Sequence, residues 1–154
     1  MLFEGNEEIQ QDEEIYPRPG FRKLKFGSNS LPKFEIGETQ AGVPYLQLNL
    51  SNEHNFSFWE KMYVSEKAKS RVVYLWKALF NEQIPKINDI DELLSKLNEK
   101  YSKTFRPNHY HNFLVSGVWK EDKLFCKLSF DGFLNPPNFQ ERAFTERETK
   151  YYIK

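Results

Sequence analysis

Between Asn55 and Val64 the chain places Trp59, Lys61 and Tyr63 on one face of an alternating run and Phe56, Phe58, Met62 and Val64 on the other. The pattern recurs from Lys123 to Phe130, where Leu124, Cys126, Leu128 and Phe130 form an apolar face and Lys123, Phe125 and Lys127 stand opposite. Aromatic faces stack on bases of any identity, at about 1–3 kcal/mol per base, and interleaved ammonium groups neutralise phosphates. We therefore expect a surface for single-stranded nucleic acid in which Trp59, Tyr63 and Phe125 stack and Lys61, Lys123 and Lys127 hold the backbone. The competing reading for any one ring is burial beneath a helix or a tail.

Other residues could extend that surface. Tyr45, Gln47 and Asn49 share the polar face of the run from Tyr45 to Leu50, where they could reach sugars or base edges; solvated strand positions are the alternative. Lys67, Lys69 and Arg71 lie along one side of a helical segment, either as a continuation of the path or as a solvated face. Arg106, Tyr110 and His111 precede a later strand. The spacing of His109 and His111, with His54 elsewhere, is too sparse a donor set for zinc, which wants four convergent ligands. The chain has no phosphate-binding glycine loop, His-Glu-x-x-His helix or Gly-x-Ser-x-Gly elbow, and its carboxylates form no catalytic spacing. No catalytic residue, metal or cofactor is expected.

These residues need elements to position them. Residues 22–26 and 31–37 alternate around Gly27-Ser28-Asn29-Ser30, and Ala41-Gly42 turns the chain into Tyr45–Leu50, so a meander of strands is expected. Ser65 is positioned to cap a helix with Ala68, Val72, Leu75, Trp76 and Leu79 on one face. Asp89 and Glu92 have capping spacing before a second helix with the stripe Ile90, Leu93, Leu94, Leu97 and Tyr101. Two more strands, His111–Trp119 and Lys123–Phe130, flank the polar turn Lys120-Glu121-Asp122, and Asn135-Pro136-Pro137 ends the sheet. Three strands, a two-helix insert and two strands give a mainly β fold. That order is the connectivity of a five-stranded Greek-key barrel, the OB-fold, with both helices between the third and fourth strands. Other α+β sandwiches accommodate the same order.

Composition sets the limits. The 154 residues suffice for one domain with tails, which we divide into an acidic arm (1–20), a core domain (21–137) and a C-terminal tail (138–154). The zero net charge is uneven. Residues 1–15 carry six carboxylates and no cation, so the remainder sets 22 cations against sixteen carboxylates, a net +6 that suits an anionic partner. The lone Cys126 excludes an intrachain disulfide and is expected to be buried and inert. No apolar stretch reaches the ~20 residues of a bilayer span and no secretory leader is evident, so a cytoplasmic protein without membrane contact is expected.

The segments Ala41-Gly42-Val43-Pro44-Tyr45-Leu46-Gln47-Leu48, Trp59-Glu60-Lys61, Ser65-Glu66-Lys67-Ala68-Lys69-Ser70-Arg71 and Leu75-Trp76-Lys77-Ala78 resemble bacteriophage single-stranded-DNA-binding proteins. In that family a Gly-x-Pro-hydrophobic strand precedes a strand leading into a Ser-x-Lys-Ala helix, and the likeness covers roughly residues 31–100. The resemblance implies an OB-fold that coats single-stranded DNA in the host cytoplasm during replication, recombination or repair. Many family members end in an acidic tail with a terminal aromatic residue, whereas this chain ends Lys150-Tyr151-Tyr152-Ile153-Lys154. Recruitment of replication or recombination proteins would then fall to the acidic N-terminal arm. The alternative function is a non-catalytic protein-interaction or virion-structural module, and the oligomeric state is left open.

Overall fold

The computed structural model describes residues 16–27, 34–106, 109–129 and 139–154. Residues 1–15 of the acidic arm, Phe130 and the Asn135-Pro136-Pro137 stop lie outside them. The element order is β1 (Gly20–Phe26), β2 (Glu35–Glu38), β3 (Pro44–Ser51), β4 (Ser57–Tyr63), α1 (Ser70–Phe80), α2 (Ile90–Thr104), β5 (His111–Lys120), β6 (Lys123–Leu128) and α3 (Glu146–Tyr152).

The sheet is antiparallel and has six strands, one for each alternating run of the sequence and one more than the five-stranded order assigned to them. β4 pairs with β3 along its whole length, from Tyr45 opposite Tyr63 to Ser51 opposite Ser57. The other edge of β3 is shared: β2 pairs with its first half, and Phe26 of β1 sits opposite Leu50 near its end. The two segments read from the sequence as successive strands thus occupy the two ends of one edge. β1 then pairs with β5, and β5 with β6. Among the described residues β4 and β6 share no backbone ladder, so the sheet is open there.

Alternation builds the core. Leu46, Leu48 and Leu50 of β3, Met62 of β4, Leu24 and Phe26 of β1, and Phe113 and Val115 of β5 are all buried on one side. Val72, Leu75 and Trp76 of α1 and Leu93, Leu97 and Tyr101 of α2 close over them. α2 begins as its sequence requires, with the Asp89 carboxylate accepting the Glu92 N–H at 2.8 Å. α1 begins later than expected. Ser65 does not cap it; the Ser65 carbonyl accepts the N–H groups of Ala68 and Lys69 in turns, and regular helix starts at Ser70. α2 is tied to the sheet by Asn98, whose side-chain amide exchanges two hydrogen bonds with the Phe34 backbone at 2.8 and 3.0 Å.

One charged group breaks the apolar pattern. Glu60 has the parity of Phe58 and Met62 and is 7% exposed. Its Oε1 meets Arg71 of α1 at 3.0 Å, and its Oε2 accepts the Leu128 N–H of β6 at 3.1 Å. Arg71 also donates to the Leu128 carbonyl at 3.3 Å. A side-chain clamp therefore joins β4, β6 and α1 where the backbone ladder is missing.

The segment read as a C-terminal tail folds back on the sheet. Arg142 and Phe21 exchange backbone hydrogen bonds at 2.9 and 3.0 Å, and the Arg142 guanidinium lies 4.3 Å from the Phe21 ring centre. α3 opens on a capping box between Thr145 and Glu148. Beyond α3 the Lys154 N–H donates to the Gly117 carbonyl at 3.0 Å. Half-buried Cys126 donates to the Pro17 carbonyl at 3.3 Å, and burial pushes its thiol up to about 12.

The clamp generates a stability prediction. Arg71→Met strands a buried carboxylate and should cost about 3–5 kcal/mol in urea unfolding. Adding Glu60→Leu should return much of that loss, because the double variant leaves no buried charge. Additive losses in the double variant would show that the two residues do not act as a pair.

Candidate nucleic-acid interface

The register of β3 and β4 assembles the first half of the surface. Trp59 stands opposite Asn49, Lys61 opposite Gln47 and Tyr63 opposite Tyr45, all on the side away from the core. Trp59 is 56% exposed and Tyr63 38%. The Tyr45 and Tyr63 rings meet edge to face at 5.8 Å, and the Lys61 ammonium lies 4.8 Å from the Tyr45 ring centre. Tyr45 rests on β2 at Gly37. A Cβ added there would stand 2.5 Å from the tyrosine ring, so only glycine leaves room for it.

The second half comes from β5 and β6. Lys127, Phe125 and Lys123 stand opposite Ser116, Val118 and Lys120. Phe125 is 49% exposed, and the Lys120 ammonium lies 5.7 Å from its ring centre. Lys120 was read from the sequence only as part of a turn, but the two-residue loop, with Glu121 at φ 56°, returns it to the face. Lys120 and Lys123 are direct cross-strand partners. Like charges in that relation repel, and an anion between them removes the cost.

The two halves approach each other at the Glu60 clamp. Glu60 and Leu128 point inward, so their neighbours Trp59 and Lys61 on β4 and Lys127 on β6 emerge on the outer side of the same seam. Burial raises the Glu60 carboxyl pKa, against the opposing pull of Arg71, the Leu128 N–H and Lys127. The sequence signal for Glu60 was its parity: an acidic residue at a core position of an alternating strand needs a partner.

The remaining candidates divide. Arg71 is turned inward to Glu60, with its side chain 15% exposed, and is not part of the outer surface. Its position in the first turn of α1 aims it at the carboxylate, whereas the sequence grouped it with its cationic neighbours. Lys67 is exposed in the turns before α1, and Lys69 pairs with Glu66 at 2.9 Å. Arg106 is exposed just beyond α2, with its carbonyl accepting the His109 N–H at 3.1 Å. His54 is in the β3–β4 loop beside Glu53, and among the described residues no three His, Cys, Asp or Glu side chains converge as a metal set. Among the same residues no helix is long and apolar enough to cross a membrane.

No protein-family model matches the chain, and no curated protein does so either.

His111, the last of the candidate loop residues, packs 5.3 Å from the Phe26 ring, and its Nε2 is buried without a hydrogen-bond partner among the described residues. Burial first, and His109 second, lower its pKa from 6.5 to about 4. As pH falls below 6.5 the unfolded chain takes up a proton that the folded chain refuses, so stability is present above that value and is lost down to about pH 4. The loss should be on the order of 2–3 kcal/mol. Denaturant melts at pH 7, 5.5 and 4 should show a flatter profile for His111→Phe, and equal slopes would show that His111 does not control it.

Proposed function

We propose that this chain binds single-stranded DNA without catalysis, coating it during replication, recombination or repair as bacteriophage single-stranded-DNA-binding proteins do. The observation that carries the reading is the outward row set by strand register. Tyr45, Gln47, Trp59, Lys61 and Tyr63 on one hairpin, and Lys120, Lys123, Phe125 and Lys127 on the other, alternate rings with cations. Rings supply sequence-tolerant stacking and cations supply phosphate neutralisation. The opposed Lys120 and Lys123 favour an anionic occupant over an apolar one.

The finer fold reading is an OB-type barrel. It is supported by the strand path β4-β3-β1-β5-β6, by β1 and β2 sharing one edge of β3 as a single interrupted strand would, and by the Glu60 clamp drawing β6 toward β4. Replication or recombination proteins would dock on the acidic arm, in the cytoplasm of a host cell. The interaction-module reading draws on Tyr74 of α1, 59% exposed, and Trp119, 54% exposed, which lie off the row. Titration with labelled oligo-dT at two salt concentrations separates the two readings, since only phosphate-driven binding weakens steeply with salt.

Trp59→Ala with Phe125→Ala should cost on the order of 2–5 kcal/mol of single-strand affinity while leaving the fold intact, because both rings are exposed. Oligonucleotide binding should also quench tryptophan fluorescence. Wild-type affinity in a folded double variant would place the DNA elsewhere.

Replacing Lys61, Lys123 and Lys127 by Gln should weaken binding equally across oligonucleotide sequences and flatten the log-log salt slope by about 0.7 per lost phosphate contact. An unchanged slope would remove these lysines from the path.

A further inference from the structure

The outward row has a sequel on β1. Lys25 faces Ser51 in register, so Lys23 and Lys25 lie on the same side of the sheet as Asn49, the partner of Trp59. Next to them, beyond the loop end of the β3–β4 hairpin, is a half-open cleft of about 410 Å³. That size falls within the roughly 300–1,000 Å³ of small-ligand sites. Arg18, Arg22 and Lys23 supply three cations to it, and Tyr16 and Tyr110 supply two rings.

The walls are held in place. Tyr16 packs on Phe56 at 4.2 Å, and the Arg22 guanidinium is fixed by the carbonyls of Arg18 and Pro19 at 3.1 and 3.0 Å. Tyr110 lies beside buried Lys25, whose ammonium is 5.8 Å from its ring centre. Two carboxylates also line the cleft, Glu141, which accepts the Lys23 backbone N–H at 2.7 Å, and Glu53, 3.5 Å from the His54 ring nitrogen; the three cations outnumber them. The Lys23 ammonium is exposed and has no ion-pair partner among the described residues.

We propose that this cleft seats one nucleotide bearing a phosphomonoester, with the base against Tyr16 or Tyr110 and the phosphate at Lys23 and Arg18. A phosphodiester carries a single charge, which scattered exposed lysines satisfy, whereas a phosphomonoester carries about −1.5 to −2 and calls for clustered cations. The same chemistry is presented by a phosphorylated end of a DNA strand lying on the row and by a free mononucleotide. The strand-end form rests on the single-strand reading above; the free-nucleotide form does not.

The test uses the full chain, (dT)12 with a 5′-phosphate, a 3′-phosphate or hydroxyl ends, and dTMP, read by fluorescence anisotropy and by backbone amide shifts. A phosphorylated end should bind roughly three- to tenfold tighter than hydroxyl ends, the yield of one charge-assisted contact at an exposed site. Lys23→Gln should abolish that increment, and Trp59→Ala with Phe125→Ala should lower overall affinity while preserving it. dTMP shifts at Lys23, His54 and Tyr110, lost in Lys23→Gln, would support the free-nucleotide source even if no oligonucleotide binds, an outcome that overturns the single-strand function alone. Equal affinities for all three oligonucleotides, together with no dTMP shifts at the cleft, would overturn the proposal while leaving single-strand binding standing.

Discussion

The buried Glu60 carboxylate is the contact on which the rest of the architecture depends. A lone charge at that depth is prohibitive in free energy, so the site exists only because Arg71 and the Leu128 N–H converge on it. By requiring those partners, Glu60 specifies where α1 begins to cover the sheet and how close β6 comes to β4. Apolar residues at the same positions would pack without a directional requirement, whereas the ion pair and its N–H bond are directional. The clamp therefore sets the relative position of the two hairpins that carry the exposed rings.

The outer surface inherits its order from that inner constraint. Trp59 and Lys61 flank Glu60 in sequence, and Lys127 precedes Leu128, so fixing the inward groups fixes the outward ones half a pleat away. Two cations of the row also rest on rings. Lys61 is held over Tyr45, and Lys120 over Phe125. Cation and ring are thus presented together on the outer face.

Much of this was legible in the sequence, because period-two alternation with aromatic and β-branched residues is a local signal. The faces of β3, β4 and β6 follow from it directly, and the stripes of α1 and α2 and the Asp89 cap follow from equally local helical and capping spacings. What escaped is non-local. Arg71 has the sequence neighbourhood of a solvated lysine cluster, and only its distance to a residue eleven positions away turns it inward. The fold-back of residues 139–154 rests on pairing with Phe21 and Gly117, far upstream, which no local pattern encodes. Lys120 was hidden in a turn because a two-residue loop and a three-residue loop look alike in sequence but differ in register. Which end of β3 each of the first two strands meets is likewise set by pairing rather than by local pattern.

Gly37 illustrates how a missing side chain shapes the surface around it. Because the Tyr45 ring fills the space where a Cβ would be, and Tyr63 and Lys61 close in from β4, the ring keeps few alternative rotamers in the free protein. Immobilising a rotamer-rich side chain on binding costs about 0.5–1.5 kcal/mol, and a ring already immobilised by folding escapes most of that cost. The entropy was surrendered once, when the sheet formed, and need not be surrendered again by each ligand. On the single-strand reading proposed above, a platform prepared in this way binds and releases a flexible polymer with little internal rearrangement, so the disorder lost on association is mainly that of the polymer itself.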